Sequence, residues 1–232
     1  NRAPKADFDW SPKPIYEGDT ITLVSQSTDP DGDLLAFEWS ISGPNGFTMS
    51  GNGKNLAIPG SQTVNRPGNY RVTLTVTDPS YAADSITRTV IVHELGIQGA
   101  VRHTDAWEEN RLRYNDKHPD APRPADWFWA GEAFVLEAAV TDTGASATKP
   151  VEVEAAAPPS LRKSLGAAGA DLTLWRGLLR SEDAGFPLVQ LPQGPLTFVF
   201  KVTYSNGVIK TANVTVQLKD TIDRYVQVHR VQ

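Results

Sequence analysis

The sequence contains no cysteine and only one methionine in its 232 residues. The absence of cysteine excludes disulfide bridges and thiol chemistry. Apolar runs stay far below the roughly 20 residues that a membrane-spanning helix needs, so we expect no membrane span in this segment. A signal peptide is also missing, and the abrupt start at Asn1 leads us to expect a segment cut from a longer chain.

The chain has no excess of positive charge: its 27 Asp and Glu residues outnumber its 22 Lys and Arg residues, and the net charge is −5. A protein that binds a phosphate backbone needs a basic surface, so we expect no nucleic-acid partner. What is abundant is glycine (18), proline (17) and short stretches of alternating apolar side chains. This composition predicts an all-β chain in which short strands are separated by turns.

An acidic turn stands out near the start of the chain. Asp29, Asp31 and Asp33 lie within five residues, around Gly32, and an apolar strand follows directly. Three carboxylates so close together repel one another unless a cation lies between them. The strand alternates Leu35, Phe37 and Trp39, which predicts one inward face because strand side chains alternate with a period of two.

This turn and the later strands resemble those of a PKD (polycystic kidney disease) domain over residues 1–94. After Trp39 the sequence departs from the family pattern, because Ser40–Gly43 stands where the family often has Phe-Gly-Asp-Gly. The fold implied by the resemblance is an immunoglobulin-like sandwich, and its usual location is outside cells. The resemblance is carried by Asn1-x-x-Pro4, Gly18-Asp19, Ser27-x-Asp29-x-Asp31-Gly32-Asp33, Phe37-x-Trp39 and Pro67-Gly68-x-Tyr70-x-Val72-x-Leu74-x-Val76-Thr77-Asp78.

Some members of the family bind structural calcium at one end of the sandwich. Carried over by position, the resemblance implies a calcium site made by Asn1, Asp29, Asp31 and Asp78, with Asp33 a weaker candidate. Carboxylate and amide oxygens on turns suit Ca²⁺. The alternative is that Asp29 and Asp78 cap their turns by accepting hydrogen bonds from backbone N–H groups.

The second half repeats part of the first. Gly18–Leu23 is echoed by Gly131–Leu136, and Gly68–Val92 is echoed by Gly194–Leu218. The sequence therefore predicts two tandem immunoglobulin-like β-sandwiches, over residues 1–94 and 95–232. Leu172–Trp175 is our candidate for the counterpart of the Trp39 strand.

The start of the second half breaks the alternating pattern. We expect a helical and irregular insertion over residues 97–130, in which Asp105-x-x-Glu108 predicts the start of a short helix that runs to about Tyr114. Trp107, Trp127 and Trp129 fall within this segment. Exposed indole rings can stack on sugars or anchor a protein partner. The alternative is that they cover the sandwich edge.

Motifs of catalysis are missing, so we expect no enzyme. The predicted function is a non-catalytic module of a secreted or surface protein, in keeping with a bacterial origin, that acts as a spacer and as an interaction domain. Its expected partners are neighbouring domains and a polysaccharide or surface protein. The alternative function is a carbohydrate-binding accessory module of a secreted hydrolase, which requires at least two of the three indoles named above to be exposed and coplanar.

Overall fold

The computed structural model describes residues 1–181 and 188–221. These residues form two compact units. The first comprises residues 1–95 together with two short loops, 143–149 and 205–208, and the second comprises the remainder. The boundary predicted at residues 94 and 95 differs from this division at residue 95 and at the two loops.

Strands dominate both units. The strands are β1 (Phe8–Ser11), β2 (Ile15–Tyr16), β3 (Ile21–Ser25), β4 (Ala36–Ser42), β5 (Thr48–Asn52), β6 (Asn55–Ile58), β7 (Gly68–Thr77), β8 (Ala83–His93), β9 (Ile97–Arg102), β10 (Trp127–Ala130), β11 (Phe134–Val140), β12 (Pro150–Ala157), β13 (Leu161–Ser164), β14 (Gly166–Ala167), β15 (Leu174–Leu179), β16 (Gly194–Tyr204) and β17 (Ile209–Thr221). The helices are α1 (Gly60–Thr63) and α2 (Asp105–Lys117), and short turns of 3₁₀ type lie at Pro44–Gly46 and Leu188–Gln190.

The first unit is a sandwich of two sheets, with strand orders β1-β3-β6 and β2-β8-β7-β4-β5. Alternation along β7 explains its burial, since Tyr70, Val72, Leu74 and Val76 are fully buried while the residues between them are not. Trp39 on β4 lies in the same core, with its ring edge-on to Phe8 at a centroid distance of 5.2 Å. The predicted inward face of the acidic-turn strand is therefore confirmed at Trp39.

The second unit repeats this topology. Its sheets have the orders β10-β17-β16-β12-β13 and β14-β15-β11-β9. The strands pair in the same way in both units. β16 and β17 form a long hairpin, as β7 and β8 do. β10 pairs with β17 in parallel, as β2 pairs with β8. Both units are thus immunoglobulin-like sandwiches, as the sequence predicts.

Two assignments in the second half require correction. The segment 97–130 is not an insertion throughout, because its ends form β9 and β10, the equivalents of β1 and β2. What is inserted is the helix α2 and the loop after it. The equivalent of the Trp39 strand is β12, because β12 pairs with β16 as β4 pairs with β7. Leu172–Trp175 instead leads into β15, the equivalent of β6.

The helix α2 begins at Asp105, one residue before the predicted start, and ends at Lys117. Thr104 precedes its first turn, and the predicted capping box is not formed: Glu108 instead pairs with Arg111 through two hydrogen bonds of 2.9 and 2.6 Å. Among the residues described, no helix combines the length and the apolar character that crossing a membrane requires.

Candidate functional site

Three carboxylates meet at one end of the first sandwich. Asp29 and Asp33 come from the acidic turn before β4, and Asp78 follows the end of β7. One carboxylate oxygen from each lies within 4.8 Å of those of the other two. Asn1 joins the group, since its side-chain nitrogen donates a hydrogen bond of 2.8 Å to Asp78 Oδ2. We call these four residues the acidic cluster.

Each turn is held by one oxygen of its own aspartate. Asp29 Oδ1 accepts from the backbone nitrogens of Asp31 (2.8 Å) and Asp33 (3.2 Å). Asp78 Oδ1 accepts from the backbone nitrogens of Ser80 (2.8 Å) and Ala82 (2.9 Å). Turn capping, the alternative to metal binding, is therefore present, but it occupies only one oxygen of each carboxylate.

The remaining oxygens supply the test of whether a cation fits. Asp29 Oδ2 is buried and has no hydrogen-bond partner among the residues that the structure describes. A buried carboxylate oxygen without a partner costs free energy unless a cation or a donor compensates it. The donor set of the acidic cluster is oxygen-rich and negatively charged, which fits Ca²⁺.

The hydrogen bond from Asn1 also tunes the ionisation of the acidic cluster. Together with the two backbone N–H groups at Ser80 and Ala82, it holds the pKa of Asp78 below its ordinary value, against the opposing effect of burial. Asp78 is therefore ionised at neutral pH, which is the state that a cation needs.

Asp31 lies outside the acidic cluster, although the resemblance to PKD domains implied a ligand role for it ahead of Asp33. Its carboxylate accepts from the backbone nitrogen of Arg2 (2.7 Å) and from the Arg2 guanidinium (3.0 and 2.8 Å), and these bonds lower its pKa. The tight turn through Gly32, whose φ is +80°, separates the side chain of Asp31 from that of Asp33. Asp33, two residues later, lies beside Asp29 and Asp78 instead.

The predicted tryptophan platform is not assembled as a plane. Trp129 is buried, Trp107 is half-buried, and their rings lie 5.0 Å apart at an angle of 37°. Trp127 is the exposed one of the three, with 37% of its surface accessible. In a regular strand residues 127 and 129 would face the same side, but a register shift between Phe128 and Trp129 interrupts the pairing of β10 with β17. Trp129 is also covered by the ring of Trp107 on α2.

Trp127 nevertheless lines a cavity of about 370 Å³ in the second unit, together with Tyr114, Arg123 and Lys219. Sequence reasoning missed Arg123 and Lys219. Arg123 lies in the loop after α2, and Lys219 is nearly one hundred residues away on β17, at the register shift. To find Lys219 from the sequence, one would have had to predict that the last strand pairs with the strand of Trp127 and Trp129. The sequence pattern did not show that pairing.

Comparison with known proteins follows the same division. The PKD domain family model matches residues 1–92. Among solved structures, the PKD1 domain of Vibrio anguillarum Epp is similar at 26% identity, over 40% of this chain and 98% of that one, with a TM-score of 0.31. A bacterial ice-binding adhesin of 1.5 MDa is similar at 15% identity, over 95% and 66%, with a TM-score of 0.42.

A carbohydrate-binding module of the β-sandwich superfamily is similar at 14% identity, over 96% of this chain and 87% of that one, with a TM-score of 0.34. A comparison with curated proteins finds no match. The family match covers the acidic cluster and both sheets of the first sandwich. Residues 1–92 match the PKD domain family.

Proposed function

We propose that the chain is a non-catalytic spacer and interaction module of a secreted or surface protein, and that calcium stabilises its N-terminal end. The match to the PKD domain family over residues 1–92 supports a role outside cells, where domains of this family are mainly found. The observation that carries the calcium part is the acidic cluster, in which Asp29 Oδ2 is buried without a hydrogen-bond partner.

The acidic cluster would hold the ion between two turns and the chain start. Asp29 and Asp33 each supply one carboxylate oxygen from the turn before β4, and Asp78 supplies one from the turn after β7. A bound divalent cation would neutralise the repulsion among the three carboxylates and tie both turns together. Such a link resists the separation of strands that a spacer experiences when its ends are pulled.

The test is to unfold the whole chain by heat and by force, with calcium and with a chelator. Because calcium binds the folded state in preference to the unfolded one, it should raise the melting temperature and the unfolding force of the first unit. Magnesium, which demands tighter octahedral geometry, serves as the control and should have a smaller effect. Identical curves in calcium and in chelator would overturn the calcium-stabilised spacer.

A second candidate function is the binding of a polysaccharide by the second unit. The observation that favours it is the cavity beside Trp127, which combines an exposed indole with polar groups. In this proposal the sugar stacks on the Trp127 ring alone, and a planar arrangement of three indoles is not required. Retention of the chain by a polysaccharide in native gel electrophoresis tests it, and loss of retention in Trp127→Ala is expected.

A further inference from the structure

The described lining of the cavity beside Trp127 consists of aromatic side chains, the cations Arg123 and Lys219, and the small residues Ala121 and Pro122. Lys219 Nζ lies 4.5 Å from the centre of the Trp127 ring. The guanidinium carbon of Arg123 lies 4.4 Å from the ring centre of Trp129 and 4.6 Å from that of Tyr114. Among the described residues that line the cavity there is no carboxylate. We propose that this cavity binds a saccharide that carries a carboxylate, of the uronic acid class.

Lys219 provides the first charge. It is exposed, and it forms no ion pair with any residue in the two described ranges. The register shift in the pairing of β10 with β17 passes over Lys219, because Phe128 pairs with Leu218 and Trp129 with Asp220. Bulges of this kind redirect a side chain out of the regular pleat, and here the side chain lies over the Trp127 ring.

Arg123 provides the second charge, and its backbone is fixed in place. Its carbonyl oxygen accepts from Arg111 Nη1 (2.7 Å) and Asn115 Nδ2 (3.1 Å), and its backbone nitrogen donates to Asn115 Oδ1 (2.7 Å). The two partners come from α2, so the inserted helix positions the loop that carries Arg123. A site whose cation is already ordered loses less conformational entropy when its ligand binds.

The walls favour a sugar over a small inorganic anion. Trp127 exposes 37% of its surface, and the apolar C–H face of a pyranose ring packs well against an indole. The cavity volume of about 370 Å³ is at the small end of ligand pockets, which suits one or two sugar rings. A free phosphate would use the two cations but would leave the indole exposed.

The charges favour an acidic sugar over a neutral one. Two cations beside aromatic faces create a positive potential at a partly desolvated site, and a carboxylate offers two oxygens to satisfy it. A neutral sugar would displace water from Lys219 without compensating its charge, which costs binding free energy. The recognition is therefore by ring stacking on Trp127 and by charge at Lys219 and Arg123.

This inference deepens the second candidate function and rests on it. The experiment is affinity electrophoresis of the full chain through gels that contain pectate, alginate, hyaluronan or a sulfated glycan, each matched where it carries carboxylates by its carboxyl-reduced form. We expect retention by carboxylated polysaccharides, and loss of retention on carboxyl reduction. Lys219→Gln and Trp127→Ala should each weaken binding by about tenfold or more.

Two variants in the first unit are the matched controls. Lys54→Gln removes an exposed lysine, and Tyr81→Ala removes an aromatic side chain that is 89% exposed. Both should bind as the wild type does. Equal binding of carboxyl-reduced glycans, retention by the sulfated glycan alone, or equal losses in Lys54→Gln and Lys219→Gln would each overturn the proposal.

The two levels of proposal fail separately. Retention by neutral polysaccharides that depends on Trp127 but not on Lys219 would keep polysaccharide binding and reject the acidic sugar. Absence of retention by every glycan would reject both, while the calcium response of the first unit would be unaffected. A circular dichroism spectrum of each variant identical to the wild type establishes that losses of binding do not come from misfolding.

Discussion

The side-chain nitrogen of Asn1 donates a hydrogen bond of 2.8 Å to Asp78 Oδ2, across 77 residues of sequence. This contact brings the first residue of the chain to the turn that follows β7, beside the carboxylates of Asp29 and Asp33. It also lowers the pKa of Asp78. The start of the first unit is therefore part of the acidic cluster, and a cation bound there would stabilise the start of the chain as well as two turns.

The first prediction separates Asp33 from Asp31. In Asp33→Ala the acidic cluster loses a carboxylate, so calcium should no longer raise the melting temperature, or should raise it by much less. In Asp31→Ala the calcium response should persist, because the Asp31 carboxylate is bound to Arg2 instead. Thermal unfolding of both variants in calcium and in chelator measures this. A calcium response lost in Asp31→Ala and kept in Asp33→Ala would contradict the geometry.

Sequence reasoning reached the fold, but it did not predict that Asp33 rather than Asp31 lies beside Asp29 and Asp78. Alternation along β7 and the resemblance to PKD domains were enough to predict the first sandwich, because burial follows the period of two. The direction of a side chain on a tight turn does not follow any such period. It depends on the backbone angles around Gly32 and on Arg2, a partner about thirty residues away.

The second half shows the same limit on a larger scale. The repeat predicted another sandwich, since the echo at Gly131–Leu136 and Gly194–Leu218 preserves strand alternation. It did not reveal that β9 and β10 are the equivalents of β1 and β2. Only residues 12–14 connect β1 to β2, whereas α2 and a long loop lie between β9 and β10. The cavity depends on that pairing of β10 with β17, so Lys219 could not be assigned to it from the sequence.

The second prediction concerns Trp39 in the core of the first unit. Its ring is fully buried, and Nε1 donates a hydrogen bond of 2.8 Å to the carbonyl oxygen of Gly53. Trp39→Ala should lower the free energy of unfolding by about 3–5 kcal/mol, because it leaves a large cavity. Trp39→Phe should cost less, about 1–3 kcal/mol, for the lost hydrogen bond and the smaller ring.

Urea unfolding followed by circular dichroism measures both changes. The matched control is Trp127→Phe, which alters a tryptophan that is partly exposed and should change the free energy of unfolding by about 0.5 kcal/mol or less. Equal costs for Trp39→Ala and Trp127→Phe would show that Trp39 does not pack as described.

The third prediction concerns a close approach between the two sheets of the second unit. A Cβ atom placed on Gly99 of β9 would lie 2.3 Å from a ring carbon of Phe200 on β16, and that ring is fully buried. Gly99→Ala should therefore force the sheets apart or shift the ring, at a cost of about 1–3 kcal/mol.

The control for this variant is Gly166→Ala on β14. There the nearest heavy atom to the added Cβ would be the carbonyl oxygen of Arg176 at 3.9 Å, an ordinary contact. We expect Gly166→Ala to be neutral or slightly stabilising, since alanine loses less conformational entropy on folding than glycine. A thermal unfolding scan distinguishes the two variants, and equal melting temperatures would argue against close packing at Gly99.

The fourth prediction concerns a buried pair of ionisable groups in the second unit. His103 Nδ1 lies 2.7 Å from Glu132 Oε1, and the two side chains are 2% and 0% exposed. His103 Nε2 and Glu132 Oε2 have no hydrogen-bond partner among the residues described. Burial raises the pKa of Glu132 above its ordinary value of 4.5, and the hydrogen bond from His103 opposes that rise only in part.

A raised pKa in the folded state means that the folded protein holds the proton of Glu132 more tightly than the unfolded chain does. The stabilisation that results is fully present below pH 4.5 and is lost as the pH rises through the raised pKa. Glu132→Gln keeps the shape of the side chain and removes its ionisation. Relative to the wild type, this variant should therefore gain stability as the pH rises through that window.

Urea unfolding of wild type and Glu132→Gln at a series of pH values between about 4 and 8 measures the difference, with His103 present in both proteins. Glu109→Gln is the control for the change of Glu to Gln itself, because Glu109 is an exposed residue of α2 whose side chain is 63% accessible. A difference between wild type and Glu132→Gln that does not vary with pH would mean that Glu132 ionises in the folded protein as readily as it does in the unfolded chain, in spite of its burial beside His103.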